Sequence, residues 1–506
     1  MSRLPVPQAR ASNENIEDIF VEFEDVDVEE ETLDDGRRPK ILPPPTHPMP
    51  CAKAFIEPHR KNGLLTLRNW RGGWWAWRTT HWAEVREAHV RSILYGFTEF
   101  ARYEDENDKR GDLKPWAPNR KKIGDLLEAL ASVCYTPDEV DQPSWFSAQG
   151  PTGSIVSVTN GLLDVERRIL VPHTPDYFNQ TSVPFDYDKN APVPGKWFAF
   201  LDALWRDDTA AIDCLGEWFG YVISGRTDLH KIMLMVGATR GGKGIIARTL
   251  AKLIGGKNTA GPTLNSFSGE FGLQTLIGKP LAIVSDARFS KRDASIVIER
   301  LLSISGEDIL SINRKNREYW TGKLPTRLHI LSNELPQLGD ASGAIVGRVI
   351  LLKLKRSWLG REDHQLEQSL EPDLPGILNW ALDGLQRLTT VNKNRFTRVP
   401  SADEAITTME DLASPVRAFV RQRCRVSTDE EKVGDLSVSR DLLFNVFTQW
   451  ALENNYPKKD RGLFGKELLA AFPMVSSTRP TDPASGERPR IYVGIGLRPE
   501  DERDDR

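Results

Sequence analysis

Apolar residues at 232–236 run without a break and without helical spacing, the pattern of a strand buried on both faces. A glycine-rich turn follows. From Ile245 the apolar positions Ile245, Ile246, Leu250 and Leu253 recur at helical intervals and predict a helix. Two more short apolar runs, Leu281–Val284 and 328–331, predict further buried strands. The first ends in Ser285 and Asp286, the second in Ser332 and Asn333. Between them the spacing predicts a helix over 295–305 that stops at Gly306, then a hairpin around Lys315-Asn316. An apolar strand follows Arg348, and an amphipathic helix spans 374–388. Upstream, helices are expected at 196–205 and 210–224. Alternation in LTLRNW and WWAWR about Arg71-Gly72-Gly73 predicts a hairpin, with helices at about 82–103 and 119–134 after it. A strand at 154–159, a tight turn at Asn160-Gly161 and a returning strand at 162–165 predict another hairpin. A polar linker over 391–411 leads to three helices (SPVRAFVRQRC, SRDLLFNVFTQWALENN, FGKELLAAF) and a strand or wing in RPRIYVGIGLRP.

These elements predict an α/β protein of several domains. An acidic, proline-rich arm (1–48) precedes an accessory α+β domain (50–224). A parallel-sheet core (225–390) and a winged-helix-like domain (412–499) follow. A chain of 506 residues has ample material for separate cores. Its net charge of −4 hides an uneven distribution, because the first forty residues are strongly acidic and the remainder is mildly basic. A polyanionic partner is therefore permitted. The arm's composition buries too little surface to offset ordering entropy, so it is expected as a solvated tail or a docking peptide. The four cysteines (Cys51, Cys134, Cys214, Cys424) show neither zinc nor disulfide spacing, which points to a reducing, cytoplasmic setting. No apolar stretch is long enough to span a membrane, and no signal sequence opens the chain. The tryptophans near Arg68, Arg71 and Arg78 admit two roles, base stacking or hairpin packing, and packing is the commoner fate of tryptophan.

Strand, glycine loop and helix in that order form a phosphate-binding loop of the nucleoside triphosphatase type. Its G-x-x-x-x-G-K core is Gly237, Ala238, Thr239, Arg240, Gly241, Gly242 and Lys243. Glycines let backbone N–H groups curl around phosphate oxygens, and Lys243 brings a point charge to the β/γ-phosphates. The next residue usually carries a magnesium-binding hydroxyl, and here it is Gly244. The ion then needs Asp286, directly or through water. Asn333, at the tip of a neighbouring strand, is suited to sense the γ-phosphate or orient water. Arg348 can reach a γ-phosphate across a subunit boundary or form a surface ion pair. Arg314, Lys315 and Arg317 at the hairpin tip suit DNA-backbone contact. Lys458, Lys459, Arg461, Lys466, Arg479, Arg488 and Arg490 mark the last domain for the same partner.

As a set, GATRGGKG, IVSDARF, SGEDILSINRK, LSNELPQLGDASGAIVGR and LPGILNWALDGL resemble the phage and plasmid primase-helicase family. That family is related to the poxvirus primase-helicase and belongs to the superfamily 3 helicases. NGLLDVERRILVPHTPDYF, FDYD and LGEWFGYVISGRT resemble the accessory domain that precedes the helicase there. The resemblance implies an AAA+-like P-loop NTPase core using ATP and Mg²⁺, in a homo-oligomeric ring expected to be a hexamer. Such rings move 3′ to 5′ along single-stranded DNA, here in phage, prophage or plasmid replication and beside other replication proteins. By the same resemblance Lys243 binds phosphate, Asp286 serves magnesium and Asn333 is the sensor. Arg348 becomes the arginine finger, and Lys315 lies in the DNA-contacting hairpin. Ala287 follows Asp286 where much of the superfamily has a second acid, leaving Glu307 or Asp308 as candidate general bases. The arm shows no paired metal-binding acids, so primer synthesis is not expected. Two alternatives stay open: an ATP-binding initiation or loading scaffold without motor activity, and a primase-helicase in the full sense.

Overall fold

Strand β1 (Ile232–Gly237) is buried at all six positions, so it lies inside a sheet covered on both faces, as its unbroken apolar run predicts. The computed structural model describes residues 40–105, 112–147, 150, 151, 153–285, 287, 294–315, 317–336, 344–427, 436–456, 458–481 and 488–499. These fall into two compact units, one holding most residues up to 182 and the other the rest.

In the second unit β1 pairs in parallel with β4 (Arg327–Ser332) on one side and β5 (Val349–Leu354) on the other. β3 (Leu281–Val284) lies beyond β4, and the short β2 (Thr259–Ala260) forms the edge. The strand order is β2-β3-β4-β1-β5, and because every pairing is parallel the carboxyl ends of β3, β4 and β1 lie on one edge of the sheet. Helices α1 (Gly195–Trp205) and α2 (Thr209–Ile223) precede β1, and both belong to this unit. After β1 come α3 (Lys243–Ile254), α4 (Ala294–Ser305) and α5 (Leu374–Gln386). α2 and α5 approach so closely that a Cβ on Gly384 would lie 2.3 Å from the backbone of Gly216, which only glycine permits. Trp197, Phe219 and Trp380 pack around that crossing.

One buried carboxylate ties α2 to the chain after α5. Glu217 accepts from Arg387 Nε (3.0 Å), Asn392 Nδ2 (2.9 Å), Thr397 Oγ1 (2.6 Å) and Thr397 N (2.7 Å), with no exposed surface. Removing one partner of such a group strands the others in low dielectric. Glu217→Ala is expected to lose about 3–5 kcal/mol of unfolding free energy, read from urea titrations. A loss under 1 kcal/mol would mean the network is already solvated.

His329, in the middle of β4, is fully buried, and neither ring nitrogen has a hydrogen-bond partner among the described residues. Burial lowers its pKa from 6.5 to about 3. The unfolded chain therefore takes up a proton that the folded chain refuses. The stability tied to this residue is complete above pH 6.5 and drains away as pH falls toward about 3. The slope is roughly 1.4 kcal/mol per pH unit. His329→Leu should remove that slope, so wild type should lose stability relative to the variant on moving from pH 7 to pH 5.

In the first unit the Leu67–Trp70 and Gly73–Trp77 strands form the predicted hairpin, turning through Arg71 (φ 49°) and Gly72 (φ 69°). Both positive angles match the twist of a tight hairpin. Trp70 and Trp82 pack with Phe178, Arg68 lies 3.4 Å from the Phe146 ring centroid, and Arg71 covers Trp70. The tryptophans therefore serve the core. The helix expected from residue 82 begins at Glu87 instead, because Trp82–Val85 pairs with Gly73–Trp77 as a third strand. The helix Arg120–Val133 stands where it was predicted, capped by Asn119. The second predicted hairpin, whose residues are divided between the two units, forms as Ile155–Val158 and Gly161–Asp164.

Toward the C-terminus the expected linker contains a helix, Asp403–Ala413, whose Ala405, Met409 and Ala413 are buried. Three helices (Pro415–Arg423, Arg440–Glu453, Arg461–Ala471) then enclose Phe419, Phe447, Trp450 and Phe464. The strands Ser437–Ser439, Ile491–Val493 and Ser476–Thr478 form an antiparallel sheet in that order, and Cys424–Val426 pairs with Ile495–Leu497. No described helix is long and apolar enough to cross a membrane. All four cysteines are buried and none is in a disulfide, and burial pushes the Cys134 thiol up to about 12, which keeps it unreactive.

Candidate functional site

The loop after β1 owes its shape to close backbone contact. A Cβ on Gly237 would lie 2.5 Å from Leu354 O of β5, and Gly242 stands at φ +91° against Phe200 and Leu204 of α1. The turn closes through Gly241 N donating to Ala238 O at 3.1 Å, and α3 starts at Lys243. Ala238, Thr239, Arg240 and Gly241 form the rest of the loop, and Arg240 takes a left-handed conformation at φ 58°. Lys243 is buried, and its ammonium donates to Gly237 O, Ala238 O (2.9 Å) and Asn333 Oδ1 (3.1 Å). Two of the three sequence-predicted strand-end residues thus meet. Ser332 Oγ donates to Glu334 O at 2.6 Å and Ala287 O at 3.2 Å, and Ala287 N donates to Leu331 O, joining the chain after β3 to the end of β4. Asp286 lies outside the described residues.

The first turn of α3 offers a test of whether a magnesium ion held there by a side chain fits. Gly244 brings no oxygen, and a Cβ built on it would meet Arg248 Nη1 at 2.8 Å. A guanidinium occupies the space a hydroxyl would enter, and its charge opposes a second cation. No group of three or more His, Cys, Asp or Glu suited to a metal occurs among the described residues. The turn does not fit a metal-holding role.

The segment after β5 is a part of the site that sequence reasoning missed. Ser357 Oγ donates to Thr239 O at 2.8 Å, Trp358 N donates to Arg240 O at 3.1 Å, and Glu362 pairs with Arg240 at 3.4 Å. Lys355 and Arg356 are exposed beside the loop. The signal was available: a basic KLKR run closing an apolar strand must end at the same sheet edge as its parallel neighbours.

Arg348 sits elsewhere. Val349 pairs with Ile232 while Leu354 pairs with Gly237, so Arg348 is at the opposite edge from Lys243, about 17 Å away along a strand. Its Nη1 donates to Leu302 O and to Ser305 Oγ (2.9 Å) at the end of α4. Glu307 is also at that edge, accepting from Thr227 Oγ1 and lying 3.8 Å from His230 just before β1. The proposed base Glu307 is therefore not brought to the Lys243 site of its own chain, and Asp308 follows it in sequence.

The hairpin forms as Leu310–Arg314 and Arg317–Gly322. Lys315 is exposed at its tip, and its N–H donates to Gln274 Oε1 at 3.1 Å. Asn313 Nδ2 donates to Glu270 Oε1, tying the hairpin near its tip to the segment at Glu270. Arg314 is half-buried, and the Arg317 side chain lies outside the described residues. Of the basic residues in the last domain, Lys459 is paired with Glu467 and Arg461 with Asp441, whereas Lys458, Lys466, Arg479, Arg488 and Arg490 are exposed.

Comparison with known proteins gives two family matches, each over less than half of the chain. Residues 52–206 match a family described as D5 N terminal like, and residues 235–348 match a family of unknown function, DUF5906. The first match covers most of the segment assigned from sequence to the accessory domain. The apo structure of the NrS-1 C-terminal region is similar in fold, with a TM-score of 0.50 at 12% identity over 85% of this chain and 96% of that one. An A-form apo structure of the same region gives 0.48 at 12% identity over 85% and 97%.

Proposed function

We propose that this protein is an ATP-dependent DNA helicase or translocase of a phage, prophage or plasmid replication system, working as a homo-oligomeric ring, expected to be a hexamer, on single-stranded DNA. The observation that carries the reading is Lys243 Nζ within 3.1 Å of Asn333 Oδ1 at the carboxyl ends of adjacent parallel strands. Open α/β sheets bind their ligands at that edge. The strand order, the glycine loop opening directly into α3 and the D5 N terminal like match upstream support a P-loop core of the superfamily 3 kind. Lys243 would leave the loop carbonyls for the β/γ-phosphates of ATP, and Asn333 would orient water at the γ-phosphate. Arg348, remote from its own Lys243, would serve the neighbour's site. Magnesium remains a proposed companion of ATP with Asp286 as its proposed ligand. The hairpin bearing Arg314, Lys315 and Arg317 would track the DNA backbone. The helix order and antiparallel sheet at the C-terminus support a winged-helix reading, with Lys466 and Arg479 available to phosphates.

The test is ATP turnover by the full chain with and without single-stranded DNA, beside the mass of the nucleotide-bound assembly. Stimulated turnover in a ring supports the motor. The cation at the first turn of α3 favours one rival, a scaffold that binds ATP only to assemble. ATP binding with no turnover, DNA present or absent, would favour that rival. Primer synthesis on a single-stranded template would instead make the chain a full primase-helicase.

A further inference from the structure

Gly244 and Arg248 stand one helical turn apart on α3, and side chains in a helix lean toward its N-terminus, so residue 248 covers residue 244. Any side chain at 244 would take up the space that the Arg248 guanidinium fills. The glycine's virtual Cβ lies 2.8 Å from Nη1, 3.6 Å from Cζ and 3.8 Å from Nη2 of Arg248. The guanidinium is ion-paired. Its Nε donates to Glu367 Oε2 at 2.7 Å, and Glu367 is held in turn beside Lys252 (3.6 Å), which also pairs with Glu371 (2.8 Å). With Nε paired to Glu367, the Nη groups lie over the first turn of α3 at Gly244.

We infer that Arg248 is a phosphate-binding residue: its guanidinium contacts the β/γ-phosphates where a hydroxyl-held metal ion would otherwise sit, with Gly244 as the clearance it needs. The inference rests on the nucleotide reading of the loop. A planar guanidinium presents several N–H donors in a fork that matches phosphate oxygens. It adds a fixed positive charge to that of Lys243 without coordination chemistry. Glu367 acts as a positioning residue, orienting the fork. Nucleotide affinity should then depend little on magnesium and strongly on Arg248.

Isothermal titration calorimetry of the full chain with ATP, once in EDTA and once in magnesium chloride, tests this. Wild type should bind in EDTA with an affinity within a few-fold of that in magnesium. Arg248→Ala should weaken binding in EDTA by roughly 10- to 100-fold, the loss expected for a charge-assisted hydrogen bond. Arg248→Lys, which keeps charge without the fork, should fall between. Gly244→Ser, which displaces the guanidinium, should make affinity newly magnesium-dependent. Arg248 is half-exposed, so these variants should keep the wild-type melting temperature within a few degrees. Wild-type affinity in EDTA for Arg248→Ala would overturn the inference while leaving the nucleotide site intact, with the Arg248–Glu367 contact only a surface ion pair. No ATP binding by wild type in either buffer would overturn the nucleotide reading itself.

Discussion

Lys243→Ala should abolish ATP hydrolysis and weaken ATP binding. Turnover should drop by about 10²–10³-fold or more, the scale seen when one preorganised donor to a developing charge is removed. Affinity should drop by roughly 10- to 100-fold, as for loss of one charge-assisted hydrogen bond. The physical reason is the position of Nζ, a positive charge that two loop carbonyls and Asn333 Oδ1 already surround. The same bonds mean the variant leaves the Gly237 and Ala238 carbonyls short of a donor. A stability loss of about 1–3 kcal/mol should accompany the loss of activity. A thermal melt at saturating ATP and at none separates the two effects: wild type should gain melting temperature with ATP, and the variant should gain little. Wild-type turnover in Lys243→Ala would remove the nucleotide hypothesis.

The sheet was legible because strands buried on both faces leave an unbroken apolar run. The runs at 232–236, 281–284 and 328–331 became β1, β3 and β4 with ends shifted by one residue at most. The meeting of Lys243 with Asn333 was legible too, since parallel strands put their carboxyl ends on one edge. Elements whose signal is short or mixed were hidden. β2 has only two residues, below any periodicity. Trp82–Val85 sits directly before a helical pattern and was absorbed into it, although Trp82 belongs to the tryptophan cluster. The helix Asp403–Ala413 buries only small residues and one methionine, so its composition passes for a linker. Arg248 escaped notice for a different reason. Its significance comes from the missing side chain four residues earlier, and a glycine at 244 reads in sequence as an absence rather than as room for a neighbour.

Under the proposed ring reading, in which the arginine serves a neighbouring subunit's site, Arg348→Ala should spare ATP binding and eliminate turnover. The register motivates the reading: Arg348 precedes the end of β5 that pairs with the start of β1, whereas Lys243 follows the other end of β1. No side chain spans that separation, so any contact with a γ-phosphate must be made to a neighbouring subunit. Mixing the variant with wild type should therefore depress activity more steeply than its mole fraction, since each variant subunit disables an adjacent wild-type site. The substitution has a second effect that must be read separately. Arg348 also donates to Leu302 O and Ser305 Oγ, satisfying the carbonyl end of α4, where a cation is favourable. Its removal should cost about 1–2 kcal/mol of stability. Arg348→Lys keeps a cation at that helix end but not the fork, so it should recover most of the melting temperature and little of the turnover. Activity that falls only in proportion to the variant's mole fraction would show that the arginine does not act across subunits. Its role would then be confined to the end of α4.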